Sequence, residues 1–440
     1  MIKRQAFKFE LTRVSGGQRR LARRSAGCRR FVYNKALSLQ RKRFERQEGC
    51  YSYSQLCKLL TGWKREFPWL TEAPSQTLQQ ALKDLCQAYT NFFEGRAGPP
   101  VFNKKGRNES VRFPQGFELD EKNARIFLPK FGYLRYRKSR EIKGEIAQVT
   151  LSVSGEKLFV SIQTELEVSD PIPSSKTVVG IDLGVARFAT LSDGTVYEPL
   201  NSFRRHEKAL AKAQQRLSHL REHSSKKSKA KFSKNYRKQK RRVQRIHARI
   251  ARCRSDYLHK VSNTVSKNHA LVVLEALPVR NMTRSAAGSA EKPGRNVKAK
   301  SGLNKAILDQ GWGEFHRQLG YKLAWCGGAI LLVPPHGTSQ TCPRCHLRNA
   351  ENRRSQALFR CVGCGFQAHA DDVGSWNVLD RGLIVLREGQ DTEEASSGRD
   401  TAARIAWEVK GARDPQHQEP TEANGETRPR CSPAVGIPVL

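Results

Sequence analysis

CPRCHLRNAENRRSQALFRCVGCGFQAHADDVGSWNVL, residues 342–379, joins a metal-binding pattern directly to an acidic pair. Its two Cys-x-x-Cys knuckles, Cys342/Cys345 and Cys361/Cys364, stand 15 residues apart, inside the spacing of zinc ribbons. Four soft thiolates suit a tetrahedral zinc ion, and Gly363 and Gly365 permit the tight turns that aim both knuckles at one metal. With all four positions taken by protein, no site remains for a reactive water, so this zinc is structural. The other cysteines (Cys28, Cys50, Cys57, Cys86, Cys253, Cys326 and Cys431) are scattered and read as packing or surface residues. Seven residues past Cys364 comes Asp371-Asp372, at the mouth of an apolar segment that predicts a helix from about Val373 to Leu386.

Two more acids end apolar runs. Asp182 closes VVGID within KTVVGIDLGVARFATLSDGTVYEP (residues 176–199), which reads as two or three strands turned at Asp193-Gly194. Glu275 closes LVVLE, a buried strand. Desolvating a carboxylate at such a strand end is costly unless something compensates it. Metal ions do so: three carboxylates from two adjacent strands and a packed helix can hold two Mg²⁺ about 4 Å apart, the arrangement for in-line phosphodiester hydrolysis. Each acid alone has a plainer reading. GIDLG also opens sugar-kinase and chaperone-type ATPases, which need later Gly-rich phosphate and adenosine loops not found here. Glu275 alone reads as a salt-bridged strand end, and Asp371 or Asp372 alone as a helix cap. Together their order and spacing fit one RNase H-like sheet.

The chain of 440 residues is 38% hydrophobic, enough for one large domain or two to three ordinary ones. Lys and Arg number 79 against 41 Asp and Glu, a formal charge of +38. An enzyme of small molecules has no reason to carry that self-repulsion, whereas a polyanion neutralises it. A basic ribosome-like or chromatin-like protein is the competing reading of composition alone. Residues 203–260 hold about twenty Lys/Arg and only three acids, interleaved with Phe232, Tyr236 and His247. Such a one-signed face points to nucleic-acid backbone contact, through Arg237, Lys238, Lys240, Arg241, Arg242 and Arg245. Arg13, Arg19, Arg20, Arg23, Arg24, Arg29 and Arg30 form a second patch. No apolar run approaches the roughly 20 residues that span a bilayer. MIKRQAFKFELTRV lacks the apolar core of a signal peptide, so the expected location is the cytosol, with cysteines reduced unless metal-bound.

The fold class expected is α/β plus β-barrel. Residues 1–170 read as a small N-terminal β-barrel for nucleic-acid recognition, with a helical insert at about 19–95. Phe7 to Leu11 alternates like a strand, leucines recur at helical spacing from Leu56 to Leu85, and short alternating strands begin after Pro99. PIPSSK (171–176) is a linker. Residues 177–386 read as a second domain that carries the three acids, with a basic helical hairpin at 203–262 and the zinc ribbon at 340–368. SAAGSAEKPGRNVKAKSGLN (285–304) reads as a polar loop, and ILDQGWGEFHRQLGYKLAWC (307–326) as one amphipathic helix with Phe315, Leu319 and Leu323 on one face. Beyond Arg387 the chain turns acidic, and 387–440 reads as a disordered tail.

In combination, GCRRFVYNKAL, RFPQGFELD, RIFLPKFGYLRYRKSREI, GIDLGVARFATLSDG, LEALPVRNMTRSA, LDQGWGEFHRQLGYKLAW, VPPHGTSQTCPRC and ADDVGSWNVL resemble the TnpB-type proteins of bacterial insertion sequences, relatives of compact type V CRISPR nucleases. The likeness spans nearly everything from residue 5 to 385. It implies an RNA-guided DNA endonuclease with a RuvC nuclease domain, a zinc ribbon near its third acid and an N-terminal β-barrel. Guide RNA and double-stranded target DNA would be its partners in the bacterial cytoplasm. By that pattern Asp182, Glu275 and Asp371 are the three acids; counting back from Asn377 selects Asp371 over Asp372. The family often has Asn two residues after the third acid, where this chain has Val373. Other readings are a guided DNA-binding repressor without cleavage, another DNA-binding accessory of transposition, and a DNA transposase. The last needs a Tyr- and His-based constellation that is not visible here.

Overall fold

Alternation of Phe7, Phe9 and Leu11 with polar residues gives the first strand one apolar face, and that strand organises the N-terminal half. The computed structural model describes residues 1–388 except 107, 226–231 and 290; the expected tail from 389 on, with Cys431, lies outside the described residues. β1 (Ile2–Thr12) leads through a Ser15–Gln18 capping box into α1 (Gly16–Glu45). A second box, Ser52–Gln55, starts α2 (Tyr53–Glu66), and α3 (Ser75–Phe93) completes the helical insert. Leu56, Leu60, Leu78, Leu82 and Leu85 bury against Val32 and Leu37 of α1 as a separate core.

Six strands follow: β2 (Ser110–Phe113), β3 (Glu118–Asp120), β4 (Arg125–Leu128), β5 (Gly132–Tyr136), β6 (Glu145–Ser154) and β7 (Lys157–Glu167). With β1 they form an antiparallel sheet ordered β2-β6-β7-β1-β5-β4-β3. Residues from β2 and from β4 and β5 share one core, and the Phe113 and Phe131 rings meet edge to face at 6.0 Å. The sheet therefore curls until its far ends approach, while β2 and β3 form no ladder with each other among the described residues.

A second sheet, ordered β10-β9-β8-β11-β12, occupies the C-terminal half. β8 (Val178–Asp182), β11 (Leu271–Glu275) and β12 (Ala329–Val333) run parallel; β9 (Ala189–Leu191) and β10 (Val196–Tyr197) are antiparallel additions. The β9–β10 turn falls at Asp193-Gly194, where Gly194 takes φ +87°. Between β10 and β11 lies the basic hairpin, α4 (Ser202–Ser225) and α5 (Lys234–Asn268), zipped by Leu210, Ala213, Val243 and Ile250. No described helix is long and apolar enough to cross a membrane.

Two expectations are corrected between β11 and β12. After the short helix α6 (Val279–Met282), residues 297–304 of the expected loop belong to α7 (Val297–Gln310). Its polar face docks by side-chain bonds: Lys300 Nζ donates to the Met282 carbonyl at 2.7 Å, and Asn304 Nδ2 to that of Thr283 at 3.0 Å. The expected single amphipathic helix is broken at Gly311, whose φ of +75° starts α8 (Trp312–Trp325). Just before the break, the buried Asp309 carboxylate accepts from the Phe203 amide at 2.8 Å and from Arg254 Nη2 at 2.9 Å, tying α7 to both hairpin helices.

β13 (Leu358–Arg360) and β14 (Gln367–His369) form the ribbon hairpin, and α9 (Ala370–Glu388) starts three residues earlier than periodicity indicated. α9 lies on β8 and β11 at glycine contacts. A Cβ on Gly180 would stand 2.4 Å from the Ser375 carbonyl oxygen, and one on Gly382 2.5 Å from Val273 Cγ2. Gly180→Ala should therefore lower unfolding free energy by about 1–3 kcal/mol, read as a fall in denaturant midpoint. Gly62→Ala on α2, where a Cβ meets nothing within 4 Å, should not. Equal midpoints for the two variants would refute the close approach.

Candidate functional site

Parallel pairing sets Ile181 opposite Leu274, so the next residues, Asp182 and Glu275, leave β8 and β11 at the same edge. α9 crosses this edge by its first turn, and at Gly374 a Cβ would stand 2.9 Å from Asp182 Oδ2. Burial, then the charges of Glu275 and Asp371, push the Asp182 carboxyl up to about 7. Burial also raises Glu275, opposed by the Thr338 hydroxyl, which donates to Oε1 at 2.6 Å, and by the charge of Arg381. Asn377 of α9 in turn donates to the carbonyls of Thr338 at 2.6 Å and Thr341 at 2.7 Å. The structure thus brings the three expected acids to one place.

Asp371 and Asp372 diverge. The Asp371 charge acts on Asp182, and its amide donates to His369 Nδ1 at 3.2 Å. Asp372 turns to Arg187, 3.5 Å away. Sequence reasoning missed Thr338 and two cations. Arg353, inside the ribbon, is close enough for its charge to oppose the rise at Asp182, and Arg381 does the same at Glu275. No spacing rule marks these residues, because only tertiary packing puts them beside the acids.

Asp182, desolvated and repelled by Glu275 and Asp371, makes with them a donor set that fits an oxygen-preferring divalent cation. The thiolates fit a different one. The four Sγ atoms of Cys342, Cys345, Cys361 and Cys364 all lie within 4.8 Å of one another; the carboxylates are more widely spread. Cys342–Cys364 and Cys345–Cys361 approach to 3.6 and 3.5 Å. Zn–S bonds of about 2.3 Å in a tetrahedron put sulfurs about 3.8 Å apart, close to these values. Backbone N–H groups of Cys364 and Gly363 hold the Cys361 thiol down to about 6, favouring the thiolate that a metal requires. The turn glycines differ. Gly365 takes φ +73°, and His346 in the other knuckle takes +58°, whereas at Gly363 a Cβ would stand 2.8 Å from Leu347 Cδ2, the end of an exposed side chain that could move aside.

The two basic patches, distant in sequence, become one. Arg19, Arg23 and Arg30 of α1 face Arg237, Lys240 and Arg241 of α5 across a cleft of about 940 Å³. Lys238 and Arg242 are exposed on α5, and Arg24 pairs with Glu72 at 3.1 Å. Arg29 departs from its expected role as a nucleic-acid contact. Its guanidinium turns inward to Asp84 at 2.8 Å, an acid also held by Arg112, and so fastens α1 to α3.

The sequence model of a family described as "Probable transposase" matches residues 161–286, one described as "Cas12f1-like, TNB domain" matches 312–378, and a "Helix-turn-helix domain" model matches 1–49. In the structure the last span is β1 and the 30-residue α1. A protein of Escherichia coli K12 named "Putative RNA-guided DNA endonuclease InsQ" is 50% identical over 424 residues, covering 96% of this chain and 98% of its own length. The chain belongs to the TnpB-type family. A relative from Streptomyces pristinaespiralis, named "Putative RNA-guided DNA endonuclease", is 31% identical across 87% of this TnpB-type chain and 90% of its own. Among solved structures, Cas12f1 in a complex with sgRNA and target DNA superposes with a TM-score of 0.51 at 15% identity, over 81% of each chain, a likeness of fold.

Because the four-cysteine hairpin runs directly into α9, loss of a metal held by its thiols should be felt at Asp371. Stripping zinc, or Cys342→Ser, should raise amide hydrogen exchange across Ala370–Gly374 by about tenfold or more. Exchange unchanged there while the ribbon itself loosens would show that the acids are held independently.

Proposed function

We propose that this chain is an RNA-guided DNA endonuclease that hydrolyses phosphodiester bonds with Mg²⁺ at Asp182, Glu275 and Asp371, in an RNase H-like (RuvC) domain. The observation that carries the reading is the Asp182 carboxyl, pushed up to about 7 by burial and by two further acids at the edge of one sheet. Such an arrangement costs stability and is retained where a cation compensates it.

Asp182, whose carboxyl feels the charges of both others, would hold the metal together with Glu275 and Asp371. Bound Mg²⁺ supplies an ionised water as nucleophile and charge stabilisation for the departing 3′ oxygen. The remaining work falls to the chain. Thr338 fixes the rotamer of Glu275 through its 2.6 Å hydrogen bond. Arg353 offers a positive charge beside Asp182, suited to a phosphate whose negative charge grows in the transition state. The ribbon, with structural zinc on its four cysteines, holds the start of α9 and hence Asp371. The curled N-terminal sheet, read as a β-barrel, and the basic cleft would take guide RNA and double-stranded target DNA by their backbones, and the bacterial cytoplasm is where these partners occur.

A guided repressor without cleavage would share every feature except the need for three acids, and all three are present and converge. Replacing any one of Asp182, Glu275 or Asp371 by Ala should lower Mg²⁺-dependent cleavage of a matched plasmid on the order of 10²–10³-fold or more, with guided binding intact. Asp372→Ala should keep most activity. Loss of cleavage with Asp372→Ala but not Asp371→Ala would move the third acid by one residue. Binding without cutting by the unmodified protein, under any divalent metal, would favour the repressor.

A further inference from the structure

Between the two basic helices projects the tip of the β6–β7 hairpin, Gly155-Glu156, with Gly155 at φ +62°. Glu156 Oε1 lies 3.1 Å from Arg241 Nε, and Oε2 lies 2.7 Å from Arg245 Nη2. Arg19 of α1 adds its charge from the other wall, and Arg23 Nη2 donates to the Gly155 carbonyl at 3.0 Å. Two other acids of this region each meet a single cation, Glu10 with Lys157 and Glu109 with Arg30 of the same cleft. One carboxylate on a hairpin tip is therefore surrounded by arginines from two different elements, at the rim of the 940 Å³ cleft.

We propose that Glu156 occupies a phosphate seat: in the free protein its carboxylate stands where Arg241 and Arg245 hold a backbone phosphate of bound nucleic acid, and binding displaces it. This rests on the nucleic-acid reading above and adds to it a competitor carried by the protein itself. Guanidinium groups take carboxylate and phosphate oxygens in the same geometry, so a seat preformed for one accepts the other. The occupant is displaceable. Glu156, Arg241 and Arg245 are 35%, 57% and 72% exposed, and ion pairs so open to water contribute little to stability. Displacement has two consequences. Affinity is lower than the arginine count implies, and nonspecific strands must compete with the carboxylate before they settle.

The test uses full-length, zinc-loaded protein, a short single-stranded RNA and a DNA of the same sequence, with fluorescence anisotropy across a salt series. Glu156→Gln keeps the shape and removes the charge. It should tighten binding about three- to tenfold at low salt and steepen the log–log salt dependence by about 0.7, the increment for one more neutralised phosphate on a single strand. Tightening confined to one polymer supports the seat and identifies its strand. Arg245→Gln should weaken binding. Glu165→Gln, eight residues along β7 from Lys157 and paired with Arg4, makes the same change in net charge away from the cleft and should alter neither quantity. Unchanged or weaker binding by Glu156→Gln, or equal tightening by Glu165→Gln, would overturn the proposal. So would a Glu156→Gln protein melting far below the parent, which would make Glu156 a structural clasp. Failure of the unmodified protein to bind either strand would sink both this seat and the nucleic-acid reading beneath it.

Discussion

Everything at the acidic edge depends on how closely α9 approaches β8. At Gly180, Gly374 and Gly382 there is no room for a side-chain carbon between helix and sheet. That contact brings the first turn of α9 over the end of β8 and strips water from Asp182 while delivering the charge of Asp371. Desolvation and like charge then act in the same direction, and the Asp182 proton is held to about pH 7. A divalent cation reverses this balance by favouring the ionised form of all three groups. The packing that makes the edge unfavourable when empty is what would suit it to a cation.

The ribbon supports that contact from outside. Its hairpin ends at His369, one residue before α9, and Asn352 ties its knuckles together by donating to the carbonyls of Gln340 and Leu347 and accepting from the Val362 amide. A short chain of hydrogen bonds, Asn377 to Thr338 to Glu275, couples the helix, the loop entering the ribbon and the second acid. The four thiolates thus bear on the acids through geometry rather than chemistry, with Arg353 as the ribbon residue whose charge reaches Asp182.

Local pattern made much of this legible. β1, β8 and β11 show in the sequence because one-sided or continuous apolar runs have few other uses, and the thiolate set because its spacing is restrictive. α7 was hidden: its buried residues, Ile307, Asp309 and Gln310, cluster at one end, and the rest docks by polar side chains that carry no periodicity. Gly311 split an apparent single helix because its left-handed φ cannot be read from apolar spacing. Arg29 counted as surface charge until Asp84, 55 residues away, was placed against it. Thr338, Arg353 and Glu156 became visible only when separate elements were packed together. Each acid read singly passes for a cap or an ion pair; it was their order and spacing taken together that pointed to one sheet edge.

The most direct measurement is anomalous diffraction from crystals of the protein with nucleic acid, grown with Mn²⁺ in place of Mg²⁺. Manganese peaks within coordination distance of Asp182, Glu275 and Asp371 are expected, with none beside Asp372 and Arg187. Peaks at Asp372, or an acidic edge that stays empty when nucleic acid and Mn²⁺ are both present, would contradict the proposed centre.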